Sequence, residues 1–216
     1  MKIAVFGTGS VGETLGSKLI DLGYEVMMGS RTANNEKATA WAKKAGAKAS
    51  AGTFADAAKF GELIVNATLG AGTVEAFKMA GEDNCAGKTV LDLSNPLDFS
   101  KGFPPSLFIS NTDSLGEALQ RAVPKAKVVK ALNTMSCLLM VNPRQLPDTH
   151  HTFIAGNDAG AKDQVKAILA AFGWKPDEII DVGDITGARA TESYLPIWAR
   201  LYGSLKTGNF NVKIVR

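Results

Sequence analysis

The feature of this sequence that most restricts its fold is a set of three glycines where an apolar run meets an amphipathic stretch. Gly7 and Gly9 lie between residues 3–6 and residues 11–22, whose apolar side chains recur with helical spacing, and Gly12 is the second residue of that stretch. A G-x-G-x-x-G spacing also occurs by chance, but between a strand and a helix each glycine has a physical task. The first makes a tight turn, the second lets a diphosphate approach the backbone, and the third lets helix and strand pack closely. The context therefore predicts a dinucleotide-binding turn, with the diphosphate at the amino terminus of the helix.

The rest of the chain alternates short β-rich runs with longer helical stretches, which is the pattern of a parallel sheet with crossover helices. Strands are predicted at residues 2–6, 25–28, 63–66, 89–93 and 127–130. Helices are predicted at residues 11–22, 36–45, 73–80 and 113–121. The predicted fold class is therefore α/β, with a Rossmann-type doubly wound parallel sheet.

A stretch with two prolines, residues 141–147, indicates a connection that divides the chain. We predict a nucleotide-binding Rossmann domain over residues 1–140 and a small α/β C-terminal cap over residues 141–216. The cap is predicted to contain a strand at 151–155, a helix at 161–172, a strand at 179–182 and a last helix at about 187–205.

The last predicted helix is apolar on several sides. Leu195, Trp198, Tyr202 and Leu205 lie on one stripe, and further apolar residues widen it. A helix of this kind should be mostly covered, by the core, by a second copy of the chain, or as one wall of a ligand cleft. Pro196 should kink or break it.

Composition and charge exclude several classes of function. The chain has 216 residues, of which 45% are hydrophobic and 21% charged, as is typical of a globular protein. The net charge is only +3 and no long Lys/Arg run occurs, so we expect no nucleic acid partner. No apolar run approaches the roughly 18 residues of a membrane span, so we expect no membrane contact and a cytoplasmic location.

Cys85 and Cys137 are too far apart for a C-x-x-C pair, and we expect reduced thiols and no metal site.

The end of the second predicted strand indicates which dinucleotide is bound. An NAD site usually carries Asp or Glu there, which bonds the ribose hydroxyls and would repel a 2′-phosphate. Here residues 29–32 read Gly-Ser-Arg-Thr, with no acid. Arg31 can offer paired donors to a 2′-phosphate, Ser30 a shorter bond, and Lys37 lies at the start of the next helix. If two charge-assisted bonds contribute about 1.5–3 kcal/mol each, NADP(H) is preferred over NAD by roughly a hundredfold to ten-thousandfold.

Three later strands end in small polar residues, at 66–70 (NATLG), 92–97 (DLSNPL) and 130–135 (KALNTM). Ligands of open α/β sheets lie outside the carboxyl ends of the strands, so these segments are expected near the nicotinamide half of the cofactor. Turn chemistry alone is the other interpretation, because Asn-Pro and Leu-Gly are common in loops.

Acid–base machinery is sparse in this sequence. Tyr202 and Lys206 have the spacing of short-chain dehydrogenases, but they lie near the carboxyl end behind a different glycine pattern, so we attribute the match to chance. His150 and His151 stand at a predicted strand start, where structural roles are expected. Hydride transfer between two ring cofactors mainly needs the rings held face to face in a dry cleft, and the missing acid favours it. A proton relay through Thr134, the backbone or water stays open.

Four segments together resemble the NADP oxidoreductases that depend on the deazaflavin coenzyme F420. They are residues 7–12 (GTGSVG), 29–31 (GSR), 92–96 (DLSNP) and 130–134 (KALNT). The resemblance covers nearly the whole chain. It implies a Rossmann domain with a small cap, hydride exchange between NADPH and a deazaflavin lying over the nicotinamide, and a homodimer.

The resemblance also implies which residues bind the cofactor. Ser30, Arg31 and Lys37 would take the 2′-phosphate. The other cofactor-binding positions would lie along the diphosphate and the nicotinamide riboside, and they are Gly7, Thr8, Gly9, Ser10, Val11, Gly12, Ala67, Thr68, Leu69, Asn95, Pro96, Ala131 and Asn133.

Asn133 departs from part of that family. The archaeal deazaflavin reductases have a histidine at this position, beside the second cofactor, whereas the related ferric reductase domains of six-transmembrane metalloreductases have asparagine. Asn133 and Thr134 are therefore the candidate catalytic residues, and the acceptor is left open between a deazaflavin, an ordinary flavin and something smaller. A non-enzymatic NADPH sensor and a reductase of a small imine or keto acid are the alternative functions.

Overall fold

The computed structural model describes residues 1–215, so the last residue of the predicted cap, Arg216, lies outside the described part. The strands are β1 (Lys2–Phe6), β2 (Glu25–Ser30), β3 (Ala49–Thr53), β4 (Leu63–Asn66), β5 (Thr89–Asp92), β6 (Leu97–Asp98), β7 (Ser106–Leu107), β8 (Lys127–Ala131), β9 (Thr152–Gly156) and β10 (Ile179–Asp181). The helices are α1 (Ser10–Asp21), α2 (Glu36–Ala45), α3 (Phe54–Phe60), α4 (Thr73–Ala80), α5 (Glu82–Cys85), α6 (Leu115–Ala122), α7 (Cys137–Val141), α8 (Ala159–Phe172), α9 (Ala188–Ser193) and α10 (Leu195–Leu205).

Eight of the strands form one sheet in the order β10-β9-β8-β5-β4-β1-β2-β3. Neighbouring strands are parallel except β8 and β9, which are antiparallel. The chain winds from β1 outward to β3 and then returns to β4 on the other side of β1, so the sheet is doubly wound. β6 and β7 form a separate short antiparallel pair. The predicted fold class is confirmed.

Hydrophobic clusters cover both faces of the sheet. Along β1, Ile3 and Val5 belong to one cluster, whereas Ala4 and Phe6 belong to the other, as the period of two in a strand requires. The first cluster contains side chains of α1 and α8, and the second contains side chains of α3 and α4. Burial on both faces explains why these strands appear in the sequence as continuous apolar runs.

Two elements between β2 and β4 were not predicted. β3 consists of Ala, Ser, Gly and Thr, without the alternation of large apolar residues that indicates a strand. α3 is only seven residues long. Its start does carry a local signal, because Thr53 accepts a bond from Asp56 N–H and Asp56 accepts one from Thr53 N–H. This capping box could have located the helix.

The second part of the chain contains the predicted strands and helix, as β9, α8 and β10. β9 pairs with β8 and β10 pairs with β9, so both strands continue the sheet of the first part. The division at residue 140 remains a prediction. A 3-10 helix, Pro143–Gln145, lies within the predicted connection.

The last predicted helix is divided into α9 and α10 at Tyr194, and Pro196 lies in the first turn of α10. Within one chain the core does not cover all of the apolar surface of α10, and coverage by a second copy of the chain or by a ligand stays a prediction. Ile197, Tyr202 and Leu205 are 54%, 44% and 53% exposed. None of the helices within residues 1–215 has the length and apolar character needed to cross a membrane.

Candidate nucleotide and hydride-transfer site

The glycine turn between β1 and α1 has two closely packed positions and one open position. Gly7 has a φ of +112°, and a Cβ there would lie 2.5 Å from the Ala67 carbonyl oxygen. A Cβ on Gly12 would lie against the Gly7 carbonyl oxygen, well inside van der Waals contact. A Cβ on Gly9 would meet no atom within 4 Å. The fold therefore requires Gly7 and Gly12, whereas the space at Gly9 is free for a ligand.

The amino terminus of α1 opens into this turn. Its N-cap residue, Gly9, provides no side-chain hydrogen bond to the helix. By contrast, α2, α3, α6 and α8 are each capped by a side-chain oxygen, from Asn35, Thr53, Ser114 and Asp158. The first N–H groups of a helix have no partner within it, so α1 keeps donors and a partial positive charge for an anion. A diphosphate fits this position.

A cavity of about 470 Å³ extends from the glycine turn to the end of β2. Among the predicted residues that line it are Gly7, Thr8, Gly9, Ser30, Arg31 and Lys37. Arg31 and Lys37 are exposed, whereas Ser30 is buried and donates its hydroxyl to the Thr32 carbonyl at 2.6 Å. The lining contains one carboxylate, Glu75 on α4, which lies 3.9 Å from Lys78 Nζ. The β2 end of the cavity is therefore cationic.

A second cavity of about 260 Å³ shares four lining residues with the first, namely Gly9, Ala67, Thr68 and Leu69. Ser10 and Val11 from α1 and Asn95 after β5 also line it, as predicted. Leu93 and Leu97 add apolar surface. The structure thus brings the start of α1 together with the carboxyl ends of β4 and β5.

Five predicted residues line neither cavity: Gly12, Pro96, Ala131, Asn133 and Thr134. Asn133 is only 2% exposed, and its Nδ2 donates to Asn95 Oδ1 at 2.9 Å. Asn95 Nδ2 in turn donates to the Asn133 carbonyl at 2.8 Å. Asn133 Oδ1 and Thr134 Oγ1 are buried without a hydrogen-bond partner among the described residues. Asn133 therefore holds Asn95 in this structure, and direct contact of Asn133 or Thr134 with a cofactor stays a prediction.

A buried polar network lies directly behind the turn formed by Ser94 and Asn95. The register of β4, β5 and β8 places Asn66 beside Asp92 and Asp92 beside Lys130. Asn66 Nδ2 donates to Asp92 Oδ1 at 2.7 Å, and the N–H and hydroxyl of Ser94 donate to the same oxygen at 3.0 and 2.7 Å. These bonds join the ends of β4 and β5 to a loop that lines the second cavity.

Lys130 is completely buried, and three oxygens surround its ammonium group. Nζ lies 2.7 Å from Asp92 Oδ2 and 2.8 Å from Glu192 Oε1, and it donates to the Ser94 carbonyl at 2.6 Å. Burial alone lowers the pKa of Lys130, but the two carboxylates outweigh this effect and hold the pKa above its ordinary value. Burial raises the pKa of Glu192, and the nearby ammonium offsets that only in part. Lys130 is therefore a buried cation.

Sequence reasoning places Asn66, Asp92 and Lys130 at strand ends but does not connect them, and it gives Glu192 no role. A signal was present in β8, because a lysine within an otherwise apolar buried strand needs a charged partner. Nothing near Glu192 in the sequence identifies it as that partner, since α9 reaches Lys130 only in the folded chain.

The two histidines have structural contacts, as expected. His150 is 3% exposed, and its Nε2 lies 2.8 Å from the Pro143 carbonyl oxygen. Its Nδ1 lies 2.7 Å from Asn211 Nδ2, and His151 Nδ1 accepts from Ile214 N–H at 3.0 Å. These contacts fix the carboxyl-terminal segment. Within residues 1–215, no group of three or more His, Cys, Asp or Glu side chains is placed to hold a metal ion.

Both cysteines are free. Cys85 is fully buried, and burial raises the pKa of its thiol to about 11. Cys137, at the start of α7, is partly buried and accepts a hydrogen bond from the Thr14 hydroxyl at 3.6 Å.

Comparisons with known proteins relate this chain to one family of reductases. Residues 2–96 match the family model described as NADP oxidoreductase, coenzyme F420-dependent. A crystal structure from Arthrobacter sp. FB24, of a protein provisionally assigned as an F420-dependent NADP reductase, is 48% identical in sequence. That match covers 100% of both chains with a TM-score of 0.93.

Two further proteins are more distant. The metalloreductase STEAP3 of Rattus norvegicus is 29% identical over 203 residues, which are 91% of this chain and 38% of that protein. The chain thus spans well under half the length of this curated relative. A reductive aminase from Aspergillus terreus in complex with NADPH and ethyl levulinate is 20% identical, with a TM-score of 0.67 over 95% of this chain and 62% of its own. The aminase shares the fold.

Proposed function

Since the chain belongs to the family of NADP oxidoreductases that depend on coenzyme F420, we propose that it transfers a hydride between NADP(H) and a deazaflavin of the F420 type. An ordinary flavin is the alternative acceptor. One observation carries the proposal: the lining runs without interruption from the cationic end of β2, past the open end of α1, to the strand ends at the second cavity. Along this course a cationic end, an anion-binding helix terminus and a partly apolar cavity follow one another in the order of the 2′-phosphate, diphosphate and nicotinamide of NADP(H).

The 2′-phosphate would bind at the end of β2. The Arg31 guanidinium can offer two parallel N–H donors to phosphate oxygens, and the Lys37 ammonium adds a point charge. Both side chains are exposed, so they can adjust to the ligand without disturbing the core. Ser30 already donates its hydroxyl to Thr32, so its hydroxyl would have to turn to donate to the phosphate.

The diphosphate would bind at the glycine turn. The N–H groups at the start of α1 have no side-chain cap, and the space at the Cβ position of Gly9 is open. Backbone donors and the partial positive charge of the helix terminus can stabilise a diphosphate without a buried lysine or arginine.

The nicotinamide would lie in the second cavity. When bound, NADPH supplies the hydride from that ring. Val11, Leu93 and Leu97 offer apolar surface that orients a ring and excludes water, while Thr68 and Asn95 offer hydroxyl and amide groups. Hydride transfer between two rings mainly needs such positioning.

We also propose a homodimer in the cytoplasm. The exposed apolar side chains of α10 would be covered by a second copy of the chain. Two free cysteines suit a reducing compartment. Light scattering of the purified protein should give twice the chain mass, and a monomer at micromolar concentration would contradict the proposed assembly.

The test of the catalytic proposal is an anaerobic assay of the purified protein with NADPH. Oxidised F420, FMN and FAD are supplied in parallel, and the loss of each acceptor's absorbance is followed. Rapid reduction of F420, slowed in Arg31→Ala but not in Lys44→Ala, is the expected result. Lys44 is the matched control because it is an exposed cation of α2 that does not line the cavity.

Reduction of FMN or FAD alone would replace the deazaflavin by a flavin. Reduction of none of the three by a protein that binds NADPH would contradict hydride transfer to ring acceptors. The chain would then be tested against small imines and keto acids, and as an NADPH sensor.

A further inference from the structure

Three buried charges that contact one another lie outside the two cavities. Asp92 and Lys130 are 0% exposed and Glu192 is 2% exposed. Burying a charged group is costly because the group loses its hydration. A protein in which apolar residues of similar volume replace a buried ion pair is often equally stable or more stable. Tight packing alone therefore does not explain why these positions carry charged residues, and their hydrogen bonds indicate what they hold in place.

Glu192 is itself fixed at two points. Its Oε2 accepts from Leu115 N–H at 2.8 Å, and its Oε1 accepts from Gly116 N–H at 2.9 Å, at the start of α6. The helix dipole there favours a carboxylate. A Cβ on Gly116 would lie 2.9 Å from Ala188 Cβ and 3.2 Å from Lys130 Cε, so α6, α9 and the lysine side chain are tightly packed.

A continuous series of contacts connects the Glu192 carboxylate to the second cavity. Glu192 Oε1 lies 2.8 Å from Lys130 Nζ, and Lys130 Nζ donates to the Ser94 carbonyl at 2.6 Å. Ser94 and the following residue, Asn95, both line the cavity. Asn95 is tied on its other side to Asn133.

We propose that Glu192 and Lys130 are positioning residues, which fix the Ser94–Asn95 turn and thereby set the binding of the nicotinamide half of NADP(H). The inference rests on the proposed NADP(H) site. A leucine or methionine could fill the same volume as Lys130, but neither could donate to the Ser94 carbonyl.

The proposal is tested by comparing two ligands that share one half. NADPH contains the nicotinamide, whereas adenosine 2′,5′-bisphosphate contains only the adenosine with its 2′-phosphate and the first phosphate of the diphosphate. Glu192→Gln and Lys130→Met are each expected to weaken NADPH binding about tenfold, as loss of one hydrogen bond to a charged group would do. The affinity for the bisphosphate should change by less than about twofold, which also shows that the variants are folded.

A matched control breaks another link between the same two helices. Arg189 Nε on α9 donates to Glu117 Oε2 on α6 at 2.9 Å, and this pair does not reach Lys130. Arg189→Gln is expected to leave both affinities unchanged. If Arg189→Gln and Glu192→Gln weaken NADPH binding equally, the proposal is overturned, because loss of the attachment between α6 and α9 would then explain the weaker binding.

A double variant separates positioning from stability. Lys130→Met leaves the Asp92 and Glu192 carboxylates buried without their cation, so adding Glu192→Gln removes one of the two and should recover part of the thermal stability that Lys130→Met loses. The Ser94 carbonyl still lacks its donor, so NADPH affinity should stay about tenfold weak. Recovery of NADPH affinity together with stability would overturn the proposal. These experiments measure binding and not turnover. If the protein binds NADPH but reduces no acceptor, the proposed function is contradicted and the positioning proposal can still be tested.

Discussion

The two ends of the candidate nucleotide site are built in opposite ways. At the end of β2, Arg31 and Lys37 carry their charges on exposed side chains. At the ends of β5 and β8, Asp92 and Lys130 are completely buried; Asp92 accepts from the N–H and hydroxyl of Ser94, and Lys130 donates to the Ser94 carbonyl. If NADP(H) binds as proposed, we expect the exposed cations to contribute affinity, because a surface cation needs no built partner, and the buried groups to fix the orientation of the nicotinamide half.

The largest expected effect is at the exposed end. Arg31→Ala should raise the Kd for NADPH roughly 10- to 150-fold, because it removes charge-assisted bonds worth about 1.5–3 kcal/mol. The Kd for NADH should change little, since NADH has no 2′-phosphate. Fluorescence titration with both cofactors measures this, and Lys44→Ala serves as control. An equal loss of affinity for NADPH and NADH would show that the 2′-phosphate binds elsewhere, and it would contradict the assigned role of the exposed end.

At the buried end, Asn133→Ala removes the donor to Asn95 Oδ1. We expect the rate of hydride transfer at saturating NADPH to fall about 2- to 13-fold, which corresponds to one neutral hydrogen bond of 0.5–1.5 kcal/mol. The affinity for adenosine 2′,5′-bisphosphate should be unaffected. Single-turnover kinetics measure the rate. Weaker binding of the bisphosphate would show that Asn133 supports the whole site rather than one end.

Salt should also distinguish the two ends. Raising the NaCl concentration from about 0.05 M to about 0.5 M shortens the screening length, so binding at the exposed cations should weaken several-fold. The ratio of NADPH affinity to bisphosphate affinity reports the nicotinamide end, and it should stay constant because buried charges are screened much less. Calorimetric titration at several salt concentrations gives both values. A ratio that falls with salt would contradict a dry nicotinamide end.

The smallest effect concerns the two carboxylates that join α6 to α9. The hydrogen bond from Arg189 lowers the pKa of Glu117, whereas burial raises that of Glu192. Because the folded pKa of Glu117 lies below its ordinary value of 4.5, its pair stabilises the fold above that pH, and this contribution is lost as the pH falls through the folded pKa.

Glu117→Gln should therefore lower the free energy of unfolding by about 0.5–1 kcal/mol at neutral pH, since Arg189 is partly exposed. The difference from wild type should shrink below pH 4.5. Urea unfolding at several pH values measures both, and a difference that grows on acidification would reverse the assigned sign.

The exposed end of the site could be predicted from the sequence, because its determinants are local. Gly7, Gly9 and Gly12 act within one turn, and Ser30 and Arg31 follow a strand directly. All of them line the first cavity except Gly12, which packs against Gly7. The contacts of these residues with NADP(H) remain to be tested.

The buried end could not be predicted in the same way. Asn66, Asp92 and Lys130 become neighbours only through the register of three strands, and Glu192 joins them from a helix near the end of the chain. β3 was missed because small residues leave no apolar pattern, although the segment pairs along its whole length with β2. The sequence left open what covers α10, because an apolar helix pattern does not distinguish burial in the core from burial against a second chain or a ligand.

The alignment of Asn66, Asp92 and Lys130 across three adjacent strands has a consequence for how such chains diverge. A change at one of these positions leaves a polar group of another without its partner, so neutral drift at any single position is blocked. We expect related chains to keep this trio together with Glu192, or to exchange its members in correlated steps. Cofactor preference at Arg31, which has exposed surroundings, is free to change by single substitutions.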